Sequence, residues 1–266
     1  MRYVYDHDIH IHSQISLCSS DPGQTAERIL QYALENGLKK ICVTDHFWDD
    51  EIPGASDWYK KQNYDRIQRI LPLPVSDKVQ FLFGAETEMD KHLTIGLGRK
   101  YYDKFDFIVV PTTHLNNPGF GLTEEEAASV EGRAAAWMRK LNALLYSDMP
   151  FYKTGAAHLA CNLIAPKRED VLAVLDILPE RELERSFRRA ADIGIGIELN
   201  SSDMSFKESE AECVLRIFRI AKACGCKFYM GSDSHHPDYF NGMKAVFERA
   251  IDYLELKESD KFDFVR

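Results

Sequence analysis

"DIHIHSQISLCSSDPGQTAERILQYALENGLKKICVTDH", Asp8 to His46, contains the unit on which the whole chain is built. A short strand-like run opens it, an amphipathic helix follows, and "ICVTDH" closes it with a second apolar strand. Within the helix, "TAERILQYALENG" places Ile29, Leu30, Ala33 and Leu34 on one stripe and stops at Gly37, a favoured left-handed C-terminal residue. A strand, a covering helix and another strand in that order predict a parallel sheet.

The rest of the chain repeats this unit. Strand candidates fall at residues 3–11, 40–44, 79–84, 105–110, 152–157, 195–199 and 227–230, with helical stretches between them. "TEEE", Thr123 to Glu126, is a capping box ahead of the helix in "AASVEGRAAAWMRKLNALL". "SFKE", with Ser205 and Glu208, repeats the device before a helix ending near Gly225. Seven strands alternating with helices predict an α/β protein, with closure into a (β/α) barrel the natural arrangement. A doubly wound open sheet satisfies the same pattern. Residues 49–77 form a long polar insert between strands two and three. No repeat, low-complexity tract or Pro/Gly/Ser linker marks a boundary, so one domain is expected over residues 1–266.

Bulk properties narrow the classes of function. The net charge of −9 argues against long nucleic acids and anionic membranes as partners. No signal-like start and no membrane-length apolar run is present. The cysteines, Cys18, Cys42, Cys161, Cys213, Cys224 and Cys226, form no CxxC pair and read as reduced thiols, so a cytoplasmic location is expected.

The chemistry lies just after the strands. In order along the chain these positions carry His10 and His12; Asp45 and His46; Glu86 and Glu88; His114; His158; Glu198 and Asn200; Asp233, His235 and His236. In a parallel barrel all carboxyl ends of strands share one rim, where active sites of this architecture sit. Imidazole and carboxylate together are ligands for first-row metals. The i, i+2 spacing of His10 and His12 points both rings the same way. Taken singly, a histidine after a strand is usually a loop or core residue, and an Asp or Glu there usually caps a helix. Only the joint pattern indicates a polynuclear metal site.

On "DIHIHS", "TDH", "GAETE", "TTH", "AAH" and "GSDSHH", the chain resembles the PHP (polymerase and histidinol phosphatase) superfamily over nearly its whole length. The resemblance implies a distorted (β/α)7 barrel with a trinuclear centre at the C-terminal rim. It implies one ion on His10, His12, Glu86 and Asp233. Glu86 would bridge to a second ion shared with His114 and His158, and His46 and His235 would hold a third. Close relatives often place a further histidine eight residues after the first of the HxH pair, where this chain has Cys18. A thiolate there would favour a softer ion such as Zn²⁺. Asp8 is expected to orient a ligand imidazole, and His7 to be structural.

Such a centre implies two or three divalent ions (Zn, Mn or Fe) and hydrolysis of a small phosphate monoester by a metal-bridging hydroxide. Glu86 and Asp233 would take part as ligands, and Asp45 or His235 would assist proton transfer. The layout resembles stand-alone histidinol-phosphate phosphatases of histidine biosynthesis. Arg99, Lys167 and Arg168 are the candidate phosphate contacts, and Phe47 and Trp48 either line the pocket or pack over the barrel mouth. Three alternatives stay open: nucleotides or short oligonucleotides as substrates, amidohydrolase-type chemistry, and a non-catalytic metal-binding module. The sequence gives neither oligomeric state nor metal identity.

Overall fold

The computed structural model describes residues 1–19, 21–116 and 119–264. Nine strand segments run β1 His7–Ile11, β2 Lys40–Val43, β3 His46–Phe47, β4 Gln80–Phe83, β5 Ala85–Thr87, β6 Ile108–Pro111, β7 Thr154–Ala157, β8 Gly196–Asn200 and β9 Lys227–Gly231. They lie in two parallel sheets, β1-β2-β4 and β3-β5-β6-β7-β8-β9. The expected seven strands are present, because β3 resumes β2 after Thr44 and Asp45, and β5 resumes β4 after Gly84. Gly84 lets the break form: a Cβ there would sit 2.5 Å from the Phe107 carbonyl and 2.8 Å from Cys42 Sγ.

The ring from β1 to β9 closes by a weaker seam. Ile11 and Ser234 form an isolated parallel bridge. Asp233 N–H donates to His10 O at 2.7 Å and His12 N–H to Ser234 O at 3.0 Å. The architecture is therefore the irregular barrel of the expectation rather than an open doubly wound sheet. Alternation along the strands sorts the core into two. Cys42, Leu82, Phe107, Val109, Ala157 and Tyr229 join Phe262 and Phe264 in one cluster, while Ile41, Val43, Ile108, Val110, Ile197, Phe228 and Met230 join the larger one with the helices.

Three local expectations are corrected. The first helix, Ala26–Asn36, is capped by Thr25 and by Gly37 at φ 69°, but its buried face is Ala26, Ile29, Tyr32 and Ala33. Leu34 is exposed instead. Tyr32 is drawn inward because its hydroxyl donates to Asp8 at 3.0 Å and meets the Tyr5 hydroxyl at 2.6 Å. The Thr123–Glu126 capping box forms, yet it starts only the short helix Glu124–Ala127; Ser129 caps a separate helix, Val130–Leu145. Gly132 permits that junction, since a Cβ there would press on the backbone of Glu126. Ser205 caps nothing downstream: its Oγ donates to Ser201 O at 2.7 Å, and Lys207 N–H donates to the Glu210 carboxylate at 3.2 Å before the helix Ala211–Ala223.

The insert at residues 49–77 folds back over the rim. Trp48, Tyr59 and Phe120 form a small buried cluster, and Gln62 ties the insert down by accepting from Ser16 Oγ and Leu17 N–H. Phe47 packs edge-on against Tyr101 and Phe105, so Phe47 and Trp48 serve packing. Among the described residues no helix is long and apolar enough to cross a membrane.

Candidate metal centre

The strand register delivers the polar residues to one place. His46 on β3 and Glu86 on β5 are paired in the ladder. His10 lies in β1 and His12 just beyond it, while His114, His158, Asp233 and His235 follow the ends of β6, β7 and β9. His158 and Asp233 stand at φ 62° and 51°, a left-handed conformation uncommon for such residues and concentrated at functional sites.

Their donor atoms fall into four overlapping groups, each with its atoms within 4.8 Å of one another. The groups are His10, His12, Glu86 and Asp233; Glu86, His114 and His158; His10, His158 and Glu198; and His12, Cys18, His46 and His235. Glu86 is central. Its Oε2 lies 2.8 Å from His46 Nδ1, 3.1 Å from His12 Nε2 and 3.6 Å from His10 Nε2, and its Oε1 lies 3.4 Å from His158 Nε2. Asp233 Oδ1 is 3.1 Å from His12 Nε2, and Oδ2 is 3.6 Å from His158 Nε2. Cys18 Sγ, placed among three imidazoles, also contacts Ser16 Oγ at 3.0 Å.

Carboxylates behind the rings fix their orientation. His10 Nδ1–H donates to Glu198 at 2.6 Å and His114 Nδ1–H to Glu88 at 2.6 Å, which turns Nε2 of each toward the cluster, where His10 Nε2 meets His12 Nε2 at 3.3 Å. His235 Nδ1–H donates to the Asp233 carbonyl at 2.7 Å with the same consequence. Two assignments are corrected here. Asp8 accepts from Ser232 N–H and the Tyr32 hydroxyl and touches no ligand imidazole through its carboxylate; Glu198 does that work for His10. Asp45 accepts from Ser13 N–H at 2.7 Å and Ser13 Oγ at 2.6 Å and lies 3.9 Å from His12 Nδ1, so it braces the loop after β1 instead of facing the cavity. His7 is structural as expected, its Nε2 meeting Met230 N–H at 3.1 Å.

These residues suit cations better than they suit each other. Both Glu86 oxygens, both His158 nitrogens and His12 Nδ1 are buried without a hydrogen bond. Buried polar atoms are nearly always paired, so the unpaired Glu86 oxygens and His158 Nε2, which faces Oε1 at 3.4 Å, indicate a missing partner, and this donor set is one for divalent transition ions. The electrostatics agree. Burial opposes the charged form of His158, but Asp233, Glu86 and Glu198 outweigh it and lift its pKa to about 10. Burial likewise opposes the His12 imidazolium, yet the Cys18 sulfur, Asp233 and Glu86 carry it to about 9. Burial would raise Glu86, but His46 and His10 hold it well below the carboxylate range. Burial and repulsion from His12 press His235 down to about 4.

With folded pKa values raised to about 9 and 10, His12 and His158 keep their protons near pH 7 and lose them only as pH rises through those values. Against the same burial, nearby carboxylates raise His10 and His46 as well, so filling the centre with divalent ions near pH 7 should release at least two protons per chain, and apparent affinity should rise with pH. Calorimetry in buffers of different ionisation enthalpy reads this directly; pH-independent loading without proton release would show that these imidazoles are not ligands.

A cavity of about 290 Å³ opens on the cluster, lined by Cys18, His46, Glu86, His114, His158 and Asp233, with Asn162, Leu163 and Ser202 at its side. Arg99, Lys167 and Arg168 do not line it. Arg99 pairs with Asp148 on the surface. Lys167 is the exposed residue that starts the helix Arg168–Ile177. Arg168 pairs with Glu210 at 2.8 Å and donates to Asn162 Oδ1 at 3.1 Å, so it acts on the cavity wall only through Asn162. Glu88 and Glu198 are the partners whose roles were not read from sequence; a buried carboxylate in a strand or directly after one was the available signal.

Comparison with known proteins agrees with this arrangement. The family model described as PHP domain matches residues 8–259. A probable phosphatase of Shewanella oneidensis is 35% identical over 82 residues, 30% of this chain and 31% of that protein, so the match spans about a third of the relative. Two solved structures share the fold. One is a histidinol phosphate phosphatase from Lactococcus lactis, complexed with zinc, L-histidinol and phosphate: TM-score 0.56, 16% identity, covering 92% of this chain and 93% of the other. The other is a putative histidinol phosphatase from Listeria monocytogenes: TM-score 0.60, 13% identity, covering 88% and 97%.

Proposed function

The chain belongs to the PHP domain family, and from that premise we propose that it is a metal-dependent phosphoesterase acting on a small phosphate monoester. The observation that carries this reading is the set of four donor groups sharing His10, His12, Glu86 and His158 beside an open cavity. His10, His12, Glu86 and Asp233 would hold one ion, Glu86, His114 and His158 a second, and Cys18, His46 and His235 with His12 a third. Bound there, Zn²⁺, Mn²⁺ or Fe²⁺ supplies Lewis acidity toward phosphate oxygens and acidifies a water.

The chain's own groups do the rest. Glu198 and Glu88 hold His10 and His114 in the tautomer that presents Nε2 to the cluster. Asn162 and Ser202 place neutral donors on the cavity wall, and no Lys or Arg stands among the described residues lining it. The charge of a bound phosphate is thus met at the cluster itself. His235, kept neutral by burial, has its Nε2 available to accept a proton or to ligate. A cytoplasmic setting fits six free cysteines.

The test is a phosphate-release screen over phosphorylated metabolites and mononucleotides, with Mn²⁺, Zn²⁺ and Fe²⁺ supplied in turn. Histidinol phosphate, the compound that the resemblance suggests, heads the panel. Chelator-sensitive release from at least one monoester is expected; release from none with any metal refutes the reading. The Cys18 assignment has its own check. Cys18→Ala should remove one metal equivalent and abolish the thiolate-to-cobalt charge-transfer absorption of Co²⁺-loaded protein. Unchanged metal content and spectrum would exclude the sulfur as a ligand.

A further inference from the structure

Next to the cluster cavity, and sharing His46, His114 and Leu163 with it, lies a second cavity of about 340 Å³. Its other walls are Ser56, Trp58, Tyr59 and Asn116. The Trp58 ring stands edge-on to His46, with centroids 5.0 Å apart, and edge-on to Tyr59 at 4.7 Å. The Tyr59 hydroxyl is already committed: it donates to Glu88 Oε2 at 3.0 Å, and the same oxygen accepts from His114 Nδ1 at 2.6 Å. The aromatic wall is therefore locked to a candidate ligand and offers a bound molecule ring faces and edges, not a free hydroxyl.

The charge inventory matters as much as the shape. Among the described residues lining this cavity there is no Asp, Glu, Lys or Arg. An ammonium group brought here would lose water without gaining a carboxylate, and a polyol would find Ser56 and Asn116 for its hydroxyls beside the imidazoles of His46 and His114, which belong to the cluster. A planar uncharged ring would lose little water and would gain contacts with Trp58, Tyr59 and Leu163.

We propose that this annexe receives the alcohol half of the phosphate ester and selects an uncharged planar ring over an ammonium-bearing or polyhydroxylated chain. The inference rests on the phosphoesterase reading and narrows it to a substrate class. It also gives the insert at residues 49–77 a role, since that segment supplies Ser56, Trp58 and Tyr59. The insert is held in place by Trp48 N–H donating to Gln62 O at 2.9 Å and by Trp48, Tyr59 and Phe120 packing together.

Three primary alkyl esters of comparable intrinsic reactivity form the test: benzyl phosphate, 2-aminoethyl phosphate and glycerol 3-phosphate. Benzyl phosphate should exceed the other two by about tenfold in kcat/KM, through KM. Trp58→Ala should reduce that preference to within about twofold, again through KM. Leu163→Asp should turn it toward 2-aminoethyl phosphate. A second readout needs no turnover. Benzyl alcohol should quench tryptophan fluorescence of the ion-free protein saturably, and Trp58→Phe should abolish the effect, because Trp48 and Trp137 are buried. Esters hydrolysed without ring preference, or a preference that survives Trp58→Ala, overturn the inference and leave the phosphoesterase reading standing. Saturable quenching with no ester hydrolysed at all overturns the phosphoesterase reading, and the assignment of the annexe to an ester's alcohol half falls with it.

Discussion

Glu86→Ala is expected to lower phosphate-ester turnover by about a thousandfold or more and to empty at least one metal position. The loss follows from what one carboxylate touches. Oε2 lies within 3.6 Å of ring nitrogens of His10, His12 and His46, and Oε1 is 3.4 Å from His158. Asp233 also reaches both His12 and His158, but among the described residues only Glu86 belongs to both donor groups proposed for the first two ions. Removing it takes away the carboxylate that would hold cations at the point where charge on a phosphate oxygen must be stabilised, and loss of that Lewis acidity is worth several kcal/mol, or about three powers of ten in rate. Glu86→Gln keeps the volume and loses the charge, so it should fail nearly as badly. Circular dichroism and the melting temperature separate loss of the site from loss of the fold. A folded, fully active Glu86→Ala enzyme would rule out a bridging role.

Glu198 carries the second large effect. It lies on β8 with no exposed surface, accepts from His10 Nδ1–H at 2.6 Å, and takes His158 N–H at 3.0 Å. One carboxylate thus orients one candidate ligand ring and anchors the backbone of another. Loss of such a partner behind a metal ligand costs about 10- to 100-fold in metal affinity. Glu198→Gln is the sharper probe than alanine. A glutamine has a single acceptor oxygen, so it can satisfy His10 or His158 but leaves an N–H facing an N–H at the other. Zn²⁺ affinity measured by competition with a chelating dye should fall in both variants. An affinity unchanged in Glu198→Gln would show that the carboxylate is structural and does not tune the site.

The types and places of the site residues were legible because topology does the gathering. Once the strands are parallel, whatever follows each of them reaches one rim, and His10, His12, His46, Glu86, His114, His158 and Asp233 needed no further information. What was not legible depends on neighbours across the ring. Whether Asp8 or Glu198 supports His10 turns on which strand face closes over the imidazole; β8 is remote in sequence, and its Glu198 reaches His10 past Gly231 of β9, where no side chain intervenes. Asp45 was misread for the same reason, since its partner Ser13 belongs to the loop after β1.

The cationic candidates failed on a different ground. Arg99, Lys167 and Arg168 are basic residues near strand ends, but long side chains go where acids attract them, and Asp148 and Glu210 claim two of the three. Local helix signals were read correctly in kind and placed slightly wrong in extent. The Thr123 box is real, yet a second cap at Ser129 interrupts the helix, and Tyr32 rotates the buried face of the first helix toward Asp8. The insert read as polar, whereas its Tyr59 packs against Trp48 and Phe120, and its Trp58 and Tyr59 form a wall of the second cavity.

The most direct measurement is native mass spectrometry of the full chain after loading with Zn²⁺ or Mn²⁺ and removal of excess ion. Mass increments for two or three ions per chain are expected, with fewer in Glu86→Ala and in His158→Ala. A single ion, or none, bound by wild type under conditions where it is folded would contradict a polynuclear centre at the barrel mouth.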